Sequence, residues 1–590
     1  MPFGAHAAGG GARFTLWAPA CAEVILLLGE RGERSIPMRA REGGWHEAAV
    51  SGVAAGQPYR FRVDEGDPVP DPASRFNPRD VAGPSVLVDP RAFEWRDAHW
   101  RGRPWHEAVV YELHIGTFTP EGTFAAAAEK LDHLAATGIT ALEVMPVADF
   151  AGARNWGYDG VLPFAPDASY GTPDEFKRFI DAAHARGLMV LLDVVYNHFG
   201  PEGNYLHRYA PRFFTRAHQT PWGAAINFDG DDSRPVRDFF VHNALYWVEE
   251  FHLDGLRLDA VHAIRDDSPT HIVREIAQAL AAGPGRERHV HMVLENERNE
   301  ARLLERGTAH ATAQWNDDWH HCVHVLTTGE TAGYYGDFAR EPVHLLARSL
   351  AEGFAYQGEP MPGSGKPRGE PSRKLPWEAF MPFLQNHDQA GNRAMGERIG
   401  VLAPPHALRL ATAALLLSPQ VPLLFMGEEI GAKTPFLFFC DFHGDLAAAV
   451  RDGRRKEFAA FPEFAAEEAR ARIPDPNAQE TFLASKIDWP AADAACLAHY
   501  TALLRLRAEL VVPRLHGPRH DARFETLAPT GIAVDWTLGD GSVLHMRANF
   551  GAGAAPALGP APGAVLHTEG DCAGAGLGPW SGVWTMEKAP

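Results

Sequence analysis

Between Pro104 and about residue 510 the chain repeats one pattern eight times: a short apolar run, then an amphipathic stretch of helical period. The runs are VVYELHIGTF from 109, ALEVMPV from 141, MVLLDVVYNH from 189, DGLRLDAV from 254, HVHMVLENE from 289, ATAQWN from 311, MPFLQNHD from 381 and VPLLFMGEE from 421. Of the stretches between them, TPDEFKRFIDAAHARG places Phe176, Phe179, Ile180 and Ala183 on one face and stops at Gly187. PVRDFFVHNALYWVEEF does the same with Phe240, Ala244, Trp247, Val248 and Phe251, and DAACLAHYTALLRLRAEL reads as the last helix. Eight strands, each followed by a helix, suit an α/β fold of the TIM (β/α)8 barrel type. A doubly wound open sheet is the alternative. The barrel is preferred because polar residues of catalytic type recur at the carboxyl ends of many of the runs, which an open sheet does not require.

At 590 residues the chain exceeds one ordinary core. Residues 1–95 alternate in β fashion (ARFTLW, YRFRVDEG) and read as an N-terminal β-sandwich, followed by the Pro-, Asn- and Asp-dense linker DPVPDPASRFNPRDVAGPSVLVDP. The barrel then occupies 96–510, with long excursions at 199–235 and 317–375 that are expected to shape a cleft. Residues 511–590 return to strand and turn character (GIAVDWTL, GSVLHMRANF, SGVWTM), a C-terminal β-domain with 550–565 as loop. A net charge of −20 argues against nucleic acid and anionic membranes as partners. No apolar run approaches the roughly 20 residues of a spanning helix, and the amino terminus shows no signal-peptide pattern. Five scattered cysteines form neither a disulfide framework nor a metal pattern, which fits a reducing cytoplasm.

The chemistry centres on FHLDGLRLDAVHAI. Arg257 and Asp259 lie two residues apart on a strand, hence on one face, so a permanent cation keeps Asp259 ionised. The bland alternative is a structural ion pair. Glycosidic cleavage needs one ionised carboxyl and one protonated carboxyl. Asp259 suits the first role. Glu295, after the apolar run HMVL, suits the second, with Glu297 on the same strand face as its competitor. Two strand ends carry Asn-His: Asp193 to Asn197-His198, and Asn386-His387-Asp388. Imidazoles and amides are good hydroxyl partners. The same residues could ligate a metal, but no HExxH-type spacing accompanies them, and neither metal nor cofactor is expected. Trp156, Tyr158, Trp222, Trp315 and Trp319 cluster where a cleft would open and are candidate platforms for sugar rings.

DVVYNH, GLRLDAVHA, VLENE and FLQNHD resemble, in order and strand placement, the four signature regions of the alpha-amylase family of glycoside hydrolases. The resemblance covers nearly the whole chain, because that family often carries both flanking β-domains. It implies a retaining mechanism with Asp259 as nucleophile, Glu295 as acid/base and Asp388 as transition-state stabiliser. Arg257, His198 and His387 would contact the sugar, Tyr158 would stack beneath it, and Asp193 and Asn197 would support that shell. The shorter stretches QWNDDWHH, FLQNHDQAGNRAMGER, PFLFFCDFHG and GRRKEFAAF look like members that cleave maltooligosyltrehalose, so the implied partners are that substrate and related α-glucans. The loop from Trp315 to His321, including Asp318, and the Lys456–Glu457 stretch are the expected contacts on the leaving side; ordinary loop-tethering is the competing explanation for each.

Two other functions compete. A glycogen branching enzyme shares the architecture, but its seventh strand typically reads His-Asp-Glu where this chain has His387-Asp388-Gln389. A non-catalytic glucan-binding barrel usually lacks one of the three carboxylates, and all three are present.

Overall fold

The computed structural model describes residues 1–589 apart from 221–222, 306–310, 517–520, 528, 557–560 and 573–575. Trp222 lies outside the described residues. Each of the eight apolar runs forms a strand: β1 (Val110–Leu113), β2 (Ala141–Val144), β3 (Met189–Val194), β4 (Gly255–Leu258), β5 (His291–Leu294), β6 (Ala313–Trp315), β7 (Phe380–Met381) and β8 (Leu423–Phe425). They pair in parallel in the order β7-β6-β5-β4-β3-β2-β1-β8, and a parallel bridge between Phe383 and Leu423 closes the ring.

Side chains alternate along each strand, so the barrel interior is filled in layers. The lower layers are apolar: Val110, Ala141, Met189, Leu191, Val293, Ala313, Met381 and Leu423 pack together, with Trp105 among them. Two residues further along several strands come Glu112, Glu143, Asp193 and Arg257, all buried. The register sets Glu143 opposite Glu112 and Asp193 opposite Arg257. The apolar packing fixes the strands, and the same two-residue period delivers a charged layer to their carboxyl ends.

The helices form as their patterns require. In α1 (Pro173–His184) the Thr172 hydroxyl accepts from the Glu175 amide while the Glu175 carboxylate accepts from the Thr172 amide, with Pro173 in the first turn. Such a cap contributes about 1 kcal/mol. Phe176, Phe179, Ile180 and Ala183 are its buried face. In α2 (Ser233–Glu250) Phe240, Ala244, Trp247 and Val248 are buried.

The 317–375 excursion differs from expectation. Its first part is helix α3 (Asp317–Thr328) and its middle is α4 (Pro342–Glu352). The Gly- and Pro-rich segment 358–371 drew attention to the loop and hid the helical period of Val343, Leu346, Ala347 and Leu350. The 199–235 excursion holds a hairpin of Phe214–Thr220 with Gly223–Ile226. The last barrel helix, α5 (Ala494–Leu506), runs on through a π-helical turn, Arg507–Val511, to Leu515, past the expected boundary at 510. There the buried Arg507 donates to the carbonyls of Leu416, Ser418 and Gln420.

The amino-terminal region is two four-stranded antiparallel sheets. It docks on the barrel through Phe3 against Phe239 (5.3 Å between ring centroids) and Trp17 against Phe213 (6.4 Å). The carboxyl-terminal region is a five-stranded antiparallel sheet from Asp521 to Glu587, joined to α4 by the Trp536 indole donating to the Leu350 carbonyl at 2.9 Å. No helix among the described residues is long and apolar enough to cross a membrane.

Candidate active site

Arg257 is the hub. Fully buried at the end of β4, it donates through Nη1 to Asp193 Oδ2 (2.7 Å) and Asp259 Oδ1 (2.9 Å), and through Nη2 to Glu295 Oε2 (2.8 Å). Its guanidinium lies 3.9 Å from the centre of the Trp315 ring. Asp259 is held on its other oxygen by Asn197 Nδ2 at 2.7 Å. The next residue, Ala260, adopts φ +41°, a left-handed conformation unfavourable for a residue with a Cβ. That turn aims the Ala260 amide at Glu295 Oε2, 2.8 Å away. Both donors to Glu295 therefore fall on one oxygen, which leaves Oε1 to carry a proton.

Asp388 follows His387, whose Nδ1 meets Glu112 Oε1 at 2.5 Å and whose Nε2 lies 3.4 Å from Asp388 Oδ1. Tyr158 stacks on His387 (5.0 Å, 24°) and donates to Asp193 Oδ2 at 2.6 Å. The turn before it depends on Gly157 at φ +106°, where a Cβ would stand 2.1 Å from the Pro146 carbonyl. His198 Nε2 bonds the Tyr158 carbonyl at 3.0 Å, and its Nδ1 meets Asn197 Oδ1.

The electrostatics separate the carboxyls. Burial drives Glu295 well above the usual carboxylate range, with Arg257 opposing. For Asp388 burial pushes upward too, but His387 and then Arg257 override it and the group stays below its ordinary value. His387 is raised well above an ordinary histidine: burial works against its charge, and Asp388 and Glu112 hold the imidazolium against it. Burial lifts Asp193 to about 6 against the pull of Arg257. One carboxyl, Glu295, is thus kept neutral beside another, Asp388, that is biased toward ionisation, the division of labour that acid-assisted bond cleavage needs.

Asp259, Glu295 and Asp388 open onto one cavity of about 680 Å³, together with Tyr158, His198, His387 and Trp156. Glu297 also lines it, but its side chain is 70% exposed and faces His262 at 3.6 Å, while Glu295 lies at the Arg257 hub. Four expected contacts are placed elsewhere. Trp315 is buried in the barrel beneath Arg257. Asp318 is fully buried and consumed by Arg368 (2.9 Å) and the amides of Ala355 (3.0 Å) and Tyr356 (3.2 Å). Lys456 and Glu457 are exposed on the helix Gly444–Glu457, outside the cavity lining; Glu457 pairs with Arg454. Trp319 is likewise core. The cavity instead receives Asp317 and His321 from within the expected Trp315–His321 loop, together with His262, Tyr334, Arg368 and Phe438, which the sequence analysis left unassigned. Helical geometry was the available signal: adjacent residues in the first turn of α3 diverge by about 100°, so only one of Asp317 and Asp318 could face the mouth.

A second donor set, His218, Asp229 and Asp267, lies away from the cavity, with ligand-type atoms within 4.8 Å of one another. Its own bonds account for it: His218 Nε2 meets Asp229 at 2.8 Å and the Asp267 amide donates to the same Asp229 oxygen at 2.9 Å.

Three stretches match known domain families: residues 2–90 the carbohydrate-binding module 48 (isoamylase N-terminal domain), 73–244 the alpha amylase catalytic domain, and 519–584 a domain of unknown function, DUF3459. The malto-oligosyltrehalose trehalohydrolase of Deinococcus radiodurans is 42% identical across 92% of this chain and 86% of its own length. The chain belongs to the malto-oligosyltrehalose trehalohydrolase family. A crystal structure from Salmonella typhimurium, solved at 1.4 Å and named after alpha amylase, is 48% identical, covers 99% of both chains and superposes with a TM-score of 0.94. The 1,4-alpha-glucan branching enzyme of Rhodococcus jostii is 36% identical but spans only 42% of this chain and 37% of its own, so the trehalohydrolase family accounts for far more of the molecule.

Proposed function

We propose that this protein hydrolyses the α-1,4 bond next to the terminal trehalose of maltooligosyltrehalose, with retention at the anomeric carbon, releasing trehalose and a shorter glucan. The observation that carries the reading is the gathering of Asp259 and Glu295 on adjacent nitrogens of one buried guanidinium, with Asp388 opening on the same cavity. Retaining chemistry needs two carboxyls about 5 Å apart, and a shared guanidinium is compatible with so close a pair.

Glu295, neutral through burial, gives the proton on Oε1 to the glycosidic oxygen. Asp259, positioned by Arg257 and Asn197, attacks the anomeric carbon through its carboxylate and forms a glycosyl ester while the leaving sugar departs as an alcohol. Glu295 then takes a proton from water, and the hydroxyl oxygen displaces Asp259. Asp388, held ionised by His387, stabilises the positive charge that develops on the ring. The stacked Tyr158–His387 pair forms the floor on which the sugar rests. No metal or cofactor enters these steps. The five unpaired cysteines suit a cytoplasmic enzyme.

Product analysis tests the reading. With maltooligosyltrehalose the expected products are free trehalose and a glucan shortened by two glucose units. New α-1,6 branches from amylose, or binding without turnover, would overturn it. Asp259→Ala is expected to remove turnover and leave thermal unfolding cooperative; wild-type rates in that variant would refute the nucleophile assignment.

A further inference from the structure

Asp317 is the first residue of α3, two positions beyond Trp315. Its carboxyl lines the cavity and makes no hydrogen bond or ion pair among the described residues. Its neighbour Asp318 is fully engaged by protein partners, so the two acids are not interchangeable. Arg368, which also lines the cavity with its side chain 8% exposed, is held against Asp318 through Nη2 (2.9 Å) and Nε (3.0 Å). Asp317 therefore offers the cavity an acceptor that the protein itself leaves unused, whereas polar groups this far removed from solvent are normally satisfied.

The wall has a side relative to the bond cleaved. On the hydrolase reading the ring at the cleaved bond rests on the Tyr158–His387 floor, so the leaving sugar is placed toward the lining residues away from that floor, which include His262, Glu297, Asp317 and Arg368. Trp156, Tyr158, His198 and Phe438 line the rest of the cavity. In a plain maltooligosaccharide the second leaving-side ring is joined through its O4. In a trehalose end that ring is joined through C1, so its 3- and 4-hydroxyls are both free. Burial lifts Asp317 to about 7 against the pull of Arg368; above that pH its carboxylate accepts from two vicinal hydroxyls at once, one on each oxygen.

Building on the hydrolase reading above, we propose that Asp317 is the residue that selects trehalose-ended chains, by accepting hydrogen bonds from the free vicinal hydroxyls of the terminal glucose. Discrimination arises because a ring lacking the free 4-hydroxyl leaves a polar group in the wall partly unsatisfied.

The test compares kcat/KM for maltotriosyltrehalose and maltopentaose, two substrates of equal glucose count, in wild type, Asp317→Asn and Asp317→Ala, with inhibition by free trehalose measured alongside. Asp317→Ala is expected to lower the ratio of the two kcat/KM values roughly tenfold or more, and to raise the inhibition constant of trehalose in parallel. Asp317→Asn, which keeps one acceptor and the shape, is expected to fall between. A ratio within threefold of wild type in both variants, or an equal loss on both substrates, would overturn the assignment. A wild-type enzyme that yields no free trehalose would instead sink the substrate reading itself, so the two failures are told apart.

Discussion

Glu295 takes both of its protein hydrogen bonds on one oxygen, from Arg257 and from the strained Ala260 backbone, and burial keeps the group protonated. Two outcomes follow at the level of this side chain. Glu295→Gln removes the proton donor but keeps the hydrogen-bonded shape, so kcat on the natural substrate is expected to fall by about 10²–10⁴. A glucosyl fluoride, whose leaving group needs no proton, is expected to lose far less in the glycosylation step; equal losses on both would show that Glu295 is not the acid. The pH dependence has a definite sign. The rate requires protonated Glu295, so activity falls as pH rises through its raised value, and the alkaline limb of kcat/KM lies well above the range of an ordinary glutamate. Glu143 presents a related case without chemistry. It lies beside Glu112 on the neighbouring strand, and neither of its carboxyl oxygens has a hydrogen-bond partner among the described residues. Burial drives it well above the usual range, so it is a neutral acid. Glu143→Gln is therefore expected to change stability by about 1 kcal/mol or less, read as a small shift in the thermal transition; a large loss would mean the carboxyl is ionised and paired in solution.

At the scale of elements, the period of two explains why so much of the site was legible. Arg257 and Asp259 share a face because any strand makes i and i+2 share one, and the apolar neighbours Leu256 and Leu258 oriented that strand correctly. The same rule failed beyond the strand ends. Asp318 and Lys456 lie on helices, where facing depends on the rotation of the helix against its neighbours, and nothing local in QWNDDWHH or GRRKEF encodes that rotation. The segment that enters the barrel shows how distant parts of the chain settle such choices. Asp97 is held by His184 Nδ1 (2.8 Å) and His252 Nδ1 (2.9 Å), and His184 Nε2 reaches Asp254 at 3.0 Å. The segment around Asp97 is thereby clasped to α1 and to the entry of β4. Burial lowers the tendency of His184 to charge, but Asp254 and Asp97 override it and its value is raised, while Asp97 is held far below an ordinary carboxylate. A raised histidine stabilises fully below its unfolded value near 6.5 and loses that contribution as pH rises through the folded value. A depressed carboxylate contributes above its unfolded value near 3.8 and loses it as pH falls. Wild-type stability is accordingly expected to decline as pH climbs from about 6.5, and His184→Ala to flatten that decline in a series of thermal melts. An unchanged slope in the variant would place the pH dependence elsewhere.

For the whole molecule, the question is what the sandwich does for a cleft it does not touch. Every cavity-lining residue lies between Trp156 and Phe438, so none belongs to the amino-terminal sheets. Those sheets cover instead an aromatic surface of the barrel: Phe213, Phe239 and Phe240 meet one another, and Phe3 and Trp17 close over them. Phe213 ends the short helical turn that precedes the 214–226 hairpin, and Phe239 lies on α2, which leads into β4 and hence to Arg257 and Asp259. The sandwich thus holds the outer side of the segment whose inner end carries the catalytic strand. If its role is this packing alone, Phe239→Ala should destabilise by about 3–5 kcal/mol, the cost of emptying a buried phenylalanine site. It should also lower the denaturation midpoint, yet leave kcat and KM within about twofold of wild type at temperatures where the variant is folded, as expected of residues outside the cavity. Exchange of backbone amides in α2 and in the 206–220 segment would report the same loosening. A variant as stable as wild type would show that this contact carries little of the docking energy. A folded variant with a KM raised several-fold would show that the sandwich reaches the glucan.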